Sequence, residues 1–321
     1  MAGNTKIEWA TDSDNFQAGC TKARNPDGTV AAECVHCYAE SWSANLARMA
    51  ATRGAPSRYQ GVVTDGGRWT GVINAETDKL QRIFSGLRNA RRTRSPLFLG
   101  SMTDNFHEDT PAEVLDVYAE ELAHLDDRIA ANKCPPHWIA QLTKRPGVLL
   151  EWQRKHFPLG TPRCFAPGVT CGHSSSVWRV RELAQVLALG PRMVSAEPLL
   201  GAIADDLQPY MHRIGWIVAG GESGPNARPM HPDWARGLRD QCEIASVPFF
   251  FKQWGEWSDV GDAHDLAERG YRRQGNERVV NLAGGHGFHG TDPRVMARVG
   301  KRRAGRLLDG RTHDEFPEVT S

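Results

Sequence analysis

His137-Trp138-Ile139-Ala140-Gln141-Leu142-Thr143-Lys144-Arg145, with the segment Gly147 to Lys155 behind it, decides how this chain is to be read. His137 to Leu142 is a short, mostly apolar run suited to a buried strand, Thr143-Lys144-Arg145 closes it with polar groups, and a helical pattern follows. The same unit recurs on both sides. Upstream, Pro96-Leu97-Phe98-Leu99-Gly100-Ser101 reads as a strand finishing in Met102-Thr103-Asp104-Asn105. The next helix has Thr110 as N-cap, Pro111 at its first position and Glu113 three residues after the cap. Downstream, Gly168-Val169-Thr170-Cys171 opens into Gly172-His173-Ser174-Ser175-Ser176 and a helix through Leu189. Arg192 to Ala196 ends at Glu197-Pro198, and Ile214 to Ala219 ends at Gly220-Gly221-Glu222-Ser223. A helix from Pro232 to Ala245 then leads to the strand Val247 to Phe251, which ends at Lys252-Gln253. Nearer the start, Lys6 to Ala10 reads as the first strand, with helices at Tyr38 to Ala51 and Ala75 to Asn89.

Six or seven such units in a row predict an α/β fold, a partial (βα)6-type barrel of parallel strands with helices outside. Most of the strands carry no charged residue, as expected when both faces are covered. Residues 1–257 form this barrel domain in our reading. Residues 258–321 form a C-terminal extension, with Gly-rich Ala283 to Gly287 and a basic, helix-like stretch from Pro293 to Leu308. In such folds the loops at the C-terminal ends of the strands converge on one rim, so Asp104, Lys144, His173, Glu197, Glu222 and Lys252 are expected to share one mouth.

A second stretch supplies the chemistry. Gly19 to Glu40, GCTKARNPDGTVAAECVHCYAE, holds Cys20, then Cys34 after thirteen residues, then Cys37 after two more. A structural zinc site usually closes with a fourth Cys or His, whereas a cubane held by three thiolates keeps one iron free. Zinc with His36, Cys134, Cys164 or Cys171 as fourth ligand, and a thioredoxin-type dithiol at Cys34-Val35-His36-Cys37, are the competing readings. Cys134, Cys164, Cys171 and Cys242 lack paired spacing and read as small buried hydrophobes.

The chain has 321 residues, 40% of them hydrophobic and 24% charged, enough for a large core in one or two domains. No run of about eighteen apolar residues and no signal-peptide core is present, so neither a membrane span nor secretion is supported, and a cytoplasmic location is expected. An odd seven cysteines suit metal or redox chemistry in a reducing compartment better than a disulfide framework. The net charge of +1 points to no polyanionic partner, although Arg88 to Arg94 and Lys301 to Arg306 are local basic runs that general experience reads as solvated faces.

The three cysteines followed by Tyr38-Ala39-Glu40 on a βα-barrel resemble the radical S-adenosylmethionine (SAM) superfamily. More narrowly, the chain resembles the phage-type three-cysteine-motif proteins, a family of poorly defined function. The motifs that carry this likeness are Lys6-Ile7-Glu8-Trp9, Gly19-Cys20-Thr21-Lys22, Ser101 to Glu108, Leu142 to Pro146, Ser195 to Leu200, Gly220 to Gly224, Phe250 to Gly255 and Ala304 to Gly310. The superfamily's best-known spacing has three residues between the first two cysteines, and where the family shows an acidic residue after the fourth strand this chain has Val169-Thr170-Cys171-Gly172, with His173 or Ser174 as substitutes.

The resemblance implies that Cys20, Cys34 and Cys37 hold a [4Fe-4S] cluster whose fourth iron is chelated by SAM, and that an electron donor such as flavodoxin or ferredoxin reduces it. It places His36 beside the adenine, Ser101, Thr103 and Asp104 at the SAM amino group, and Glu197 and Glu222 at ribose hydroxyls or substrate. Lys144 would pair with the SAM carboxylate or a substrate phosphate, and Lys144 and Glu222 are the candidate catalytic side chains. The favoured substrate class is a nucleic acid or modified nucleotide, on the family setting, the two basic runs and Trp254 and Trp257; DNA modification or repair follows from it. Two other classes remain: a zinc-stabilised nucleic-acid-binding protein, and a cluster-free βα-barrel hydrolase using Asp104, Glu197 and Glu222 as acid and base.

Overall fold

The computed structural model describes residues 5–54, 57–287 and 290–318. Its strands are β1 (Asp12–Asp14), β2 (Gln17–Ala18), β3 (Asn74–Ala75), β4 (Leu97–Leu99), β5 (Ile139–Thr143), β6 (Phe165–Thr170), β7 (Met193–Ala196), β8 (Trp216–Gly220), β9 (Phe249–Gln253), β10 (Trp257–Asp262), β11 (Glu277–Val280) and β12 (Arg294–Arg298). The helices are α1 (Tyr38–Thr52), α2 (Thr77–Arg88), α3 (Ala112–Ala130), α4 (Pro146–His156), α5 (Val177–Leu183), α6 (Ala204–Leu207), α7 (Pro232–Ala245), α8 (Ala263–Glu268) and α9 (Lys301–Ala304). Seven strands pair in parallel in the order β1-β4-β5-β6-β7-β8-β9, which is the partial barrel the repeating units predict.

Strict alternation along each strand produces two cores. Leu97, Leu99, Ile139, Phe165, Val169, Val194, Ile217, Phe249 and Phe251 face the helices. Their neighbours Phe98, Ala140, Ala166, Met193, Trp216, Val218 and Phe250 face inward and close around Trp9. Both faces of the sheet are therefore dry, which is why these strands read as unbroken apolar runs. The tail returns to cover the free edge at β9: the Phe251 N–H donates to the His313 carbonyl at 2.9 Å and Glu315 N–H to Phe249 O at 3.3 Å. Residues beyond β9 make a three-stranded antiparallel sheet, β10-β12-β11, whose Trp257, Val280 and Met296 join the helix-facing core.

Four local expectations are corrected. Lys6 to Ala10 forms no strand; Trp9 instead plugs the barrel interior, 4.9 Å from Phe98 and 5.7 Å from Trp216 between ring centroids. The first strand is the polar Asp12–Asp14, anchored by Arg94 on Asp12 at 2.7 Å and Lys79 on Asp14 at 2.8 Å. Thr110 does not cap α3, because its hydroxyl donates to Gln17 Oε1 at 3.2 Å. The helix after Ser176 stops at Leu183 and not Leu189, since Leu187 O and Leu189 N are drawn back onto Thr161 at 2.9 and 3.2 Å. Finally, Pro293 to Leu308 is mostly strand β12 and loop; only Lys301–Ala304 is helical.

Candidate active site

The C-terminal ends of the barrel strands open into a cavity of about 380 Å³. Cys20, Cys34 and Cys37 all line it, as do Ser101, Thr103, Asp104, Lys144, Glu197 and Lys252. His36, His173 and Glu222 do not line it.

The cysteine loop lies across this mouth because the segments after β4, β5, β6 and β8 grip it. Gly19 has φ of 100° and packs so closely that a Cβ would sit 2.0 Å from Val72 O, a site only glycine fits. Its carbonyl accepts from the Thr103 hydroxyl at 2.7 Å. Lys22 bridges the first cysteine to the other two, donating to Cys34 O at 2.8 Å and to the buried Glu40 at 3.0 Å. Glu33 accepts the Gly172 N–H at 2.8 Å beyond β6 and is paired with the fully buried Arg179 at 3.4 Å. Arg228 donates to Ala32 O at 2.9 Å from the β8 side.

Arg145 does most of this work on the β5 side. Its guanidinium donates to Asp104 at 3.0 Å, Glu108 at 2.5 Å, Thr21 O at 3.1 Å and Thr21 Oγ1 at 2.6 Å, with Cys20 Sγ at 3.8 Å. Asp104 also accepts from the Thr143 hydroxyl at 2.7 Å and the Lys144 N–H at 2.9 Å. Burial opposes its ionisation, but the Arg145 charge and these hydrogen bonds outweigh that and hold its pKa below the ordinary aspartate value. Asp104 is thus a saturated strut at the cavity wall, engaged by the protein itself. Thr103 and Ser101 are likewise engaged, with Gly19 and with Asn15 at 3.2 Å.

Glu222 is committed in the same way. Arg228 clamps both its oxygens at 2.6 and 2.8 Å, and His36 Nδ1 lies 3.2 Å away. Burial would raise its pKa, yet the Arg228 hydrogen bonds and charge bring it below the ordinary value. Glu222 and His36 therefore form one rim cluster outside the cavity.

The polar groups left for a ligand are fewer. Glu197 pairs with Lys252 at 2.8 Å and accepts from Trp9 Nε1 and Ser195 Oγ, both at 3.2 Å. With Asp104 taken by Arg145 and Glu197 by Lys252, Lys144 has no carboxylate in contact among the described residues. Burial disfavours its ammonium, but the nearby Cys34 and Cys37, when ionised, and Asp104 outweigh that and raise its pKa above the ordinary lysine value.

As a metal-binding set, the three cysteines are thiols on one cavity with cations close by, which suits an anionic cluster held by three thiolates. Among the described residues no three His, Cys, Asp or Glu side chains, these cysteines included, are gathered closely enough to hold a metal ion as they stand, so loading has to draw the three thiols together. The Cys20 thiol donates to Thr21 O at 3.1 Å, and burial pushes its pKa up to about 12, so it ligates only where a metal offsets the cost of ionisation. Of the fourth zinc ligands considered above, Cys134 and Cys164 precede β5 and β6 at the far end of the barrel, Cys171 is buried in the helix-facing core, and His36, within the loop, is turned to Glu222 at 3.2 Å.

Arg145, Lys22, Glu33, Arg179 and Arg228 were not singled out by sequence. Their charge was visible, but charge alone does not say which side chain turns inward; the adjacency of Arg145 to Lys144 was the one usable signal. Two nucleic-acid indications are corrected. Trp254 and Trp257 are buried, with their indole N–H groups on Leu307 O and Ala227 O at 2.8 Å. The run Arg88 to Arg94 precedes β4 and so sits at the end of the barrel opposite the cavity, with Arg88 paired to Glu121 and Arg94 to Asp12.

Buried neutral histidines make a pH prediction. His107 accepts the Asp109 N–H on Nδ1 at 3.1 Å and so carries its proton on Nε2, 2.8 Å from Thr21 Oγ1. Burial is the main cause that holds His107, His137 and His231 below the ordinary histidine pKa. The unfolded chain then binds more protons than the fold once pH drops below about 6.5. Stability is expected to be full above that pH and to decline on acidification, read as a lower urea midpoint at pH 5 than at pH 7.5. A flat profile would contradict the neutral assignment.

No helix among the described residues is long and apolar enough to cross a membrane. A family model described as protein of unknown function (DUF5131) matches residues 4–317. No curated protein and no solved structure matches the chain.

Proposed function

From the premise that the chain belongs to the DUF5131 family, whose description assigns no activity, we propose that it is a radical SAM enzyme with Cys20, Cys34 and Cys37 as the ligands of a [4Fe-4S] cluster. One observation carries this reading: the three thiols open onto a single cavity at the C-terminal mouth of a parallel partial barrel, beside Lys144, which has no carboxylate in contact among the described residues. When bound, the cluster and SAM together supply an electron-driven cleavage that yields methionine and a 5′-deoxyadenosyl radical able to take hydrogen from carbon. The chain's own residues bind and orient. Lys144 offers the ammonium that a SAM carboxylate or substrate phosphate requires, while Arg145 fixes the Cys20 segment. The Glu197–Lys252 pair supplies hydrogen-bond partners on the opposite strands, and Ile7, Phe98 and Leu142 give the cavity a dry wall.

The test is product formation. Anaerobically reconstituted protein, reduced in the presence of SAM, is expected to release 5′-deoxyadenosine, and Lys144→Ala to raise the SAM concentration needed at least tenfold. A protein that takes up one zinc and releases no 5′-deoxyadenosine would refute the reading.

A further inference from the structure

Helix α1 is built the wrong way round for a surface helix. It buries only Ala39, Glu40 and Ser43, while Trp42 and Met49 stand out in solvent and Tyr38 keeps a half-exposed ring at the cavity mouth, its hydroxyl donating to Ser101 O. Their spacing puts all three on one face, with Arg53 just past the helix end continuing the line. Two exposed aromatics one turn apart, with Met49 further along the same face, mark an interaction surface. The chemistry of its partner follows from charge. Residues 41–72 carry four arginines, Arg48, Arg53, Arg58 and Arg68, against a single acid, Asp65, in a chain whose overall charge is only +1. Arg58 is used internally by Glu76 at 3.4 Å, but Arg48 reaches only Asn45 Oδ1 and Ala44 O, and Arg68 is exposed and no nearer than 3.9 Å to Glu40.

A groove of about 650 Å³ runs between α1 and the following loop, floored by Ala44 and Ala47 and rimmed by Arg48. That groove lies on the side of α1 away from Trp42; it is Tyr38, at the start of α1, and Trp69, in the following loop, that line the cysteine cavity, so the aromatic face begins at the mouth.

We propose that α1 and the loop from Ser57 to Val72 form the docking surface for a single-stranded nucleic acid, with phosphates on Arg48, Arg53 and Arg68 and bases stacked on Trp42 and Tyr38. Calling that strand the substrate rests on the reading of the cavity given above. The docking surface itself rests on this charge and these aromatics. An unpaired strand is required because a base has to leave the duplex stack to reach chemistry in a cavity recessed at the barrel mouth.

The test is fluorescence anisotropy with a labelled mixed-sequence single-stranded 15-mer and its duplex, across salt concentrations, using the full cluster-free chain. Single-strand binding is expected to weaken with salt, with each of Arg48→Gln and Arg53→Gln flattening the log–log slope by about 0.7. Trp42→Ala, at an exposed position that folding does not need, is expected to weaken binding about tenfold or more. A duplex bound as tightly as the single strand, or poly-L-glutamate bound as tightly with Trp42→Ala affecting neither, would overturn the proposal, the latter in favour of an acidic protein. Cys34→Ala separates the two ideas. Oligonucleotide binding that survives in it while no preparation makes 5′-deoxyadenosine upholds the surface and sinks the cavity reading; product formation without oligonucleotide binding does the reverse.

Discussion

Cys34→Ala is expected to lose all cluster loading while keeping its fold. After anaerobic treatment with iron and sulfide, wild type should hold about four irons per chain and the variant none above background. The separation of loading from folding follows from how the loop is held. The Cys34 carbonyl, not its thiol, accepts the Lys22 ammonium, and the Glu33–Arg179 and Glu33–Gly172 contacts that fix the turn are untouched by the substitution. Cys34 shares a small buried cluster with Ala23 and Ala31 at the cavity wall, so unfolding of the metal-free variant should move by about 1 kcal/mol. Iron binding that persists in Cys34→Ala would show that the ligands are other groups.

Arg145→Ala is expected to have the largest effect on stability, about 3–5 kcal/mol, because it strands the buried Asp104 carboxylate without its countercharge. Arg145→Lys should recover little, since one ammonium cannot replace a fork that meets Asp104, Glu108 and two acceptors on Thr21 at once. The pH dependence identifies the partner. Asp104 has a depressed folded pKa, so the pair contributes above the unfolded aspartate value near 3.9 and its contribution disappears as pH falls through the folded value. The gap between wild type and Arg145→Ala in urea unfolding should therefore be wide at pH 7 and narrow as pH falls below about 4. A gap of equal size at both would assign the loss to packing and not to the ion pair.

These two variants also mark what could be read from sequence. The inner strands were legible because β8 and β9 are apolar on both faces, and a run such as Trp216 to Ala219 has few alternatives to a covered strand. β1 was not, because Asp12-Ser13-Asp14 is a strand only through its parallel register with Leu97 to Leu99 and its ion pairs with Arg94 and Lys79. At the site, spacing flagged the cysteines and strand-end position flagged Asp104, Lys144, Glu197 and Glu222, with the family resemblance pointing to the same residues. Position could not say which of these are free. Asp104 and Glu222 are consumed by Arg145 and Arg228, Glu197 by Lys252, and only Lys144 keeps an uncommitted charge, a distinction made by loops whose course the sequence does not encode locally.

The measurement that bears most directly on the central claim is electron spin resonance of the anaerobically reconstituted, reduced protein with and without SAM. A cluster held by Cys20, Cys34 and Cys37 alone would give a reduced signal whose shape shifts when SAM is added. A cluster signal indifferent to SAM, or no signal in protein carrying a single zinc, would contradict that claim.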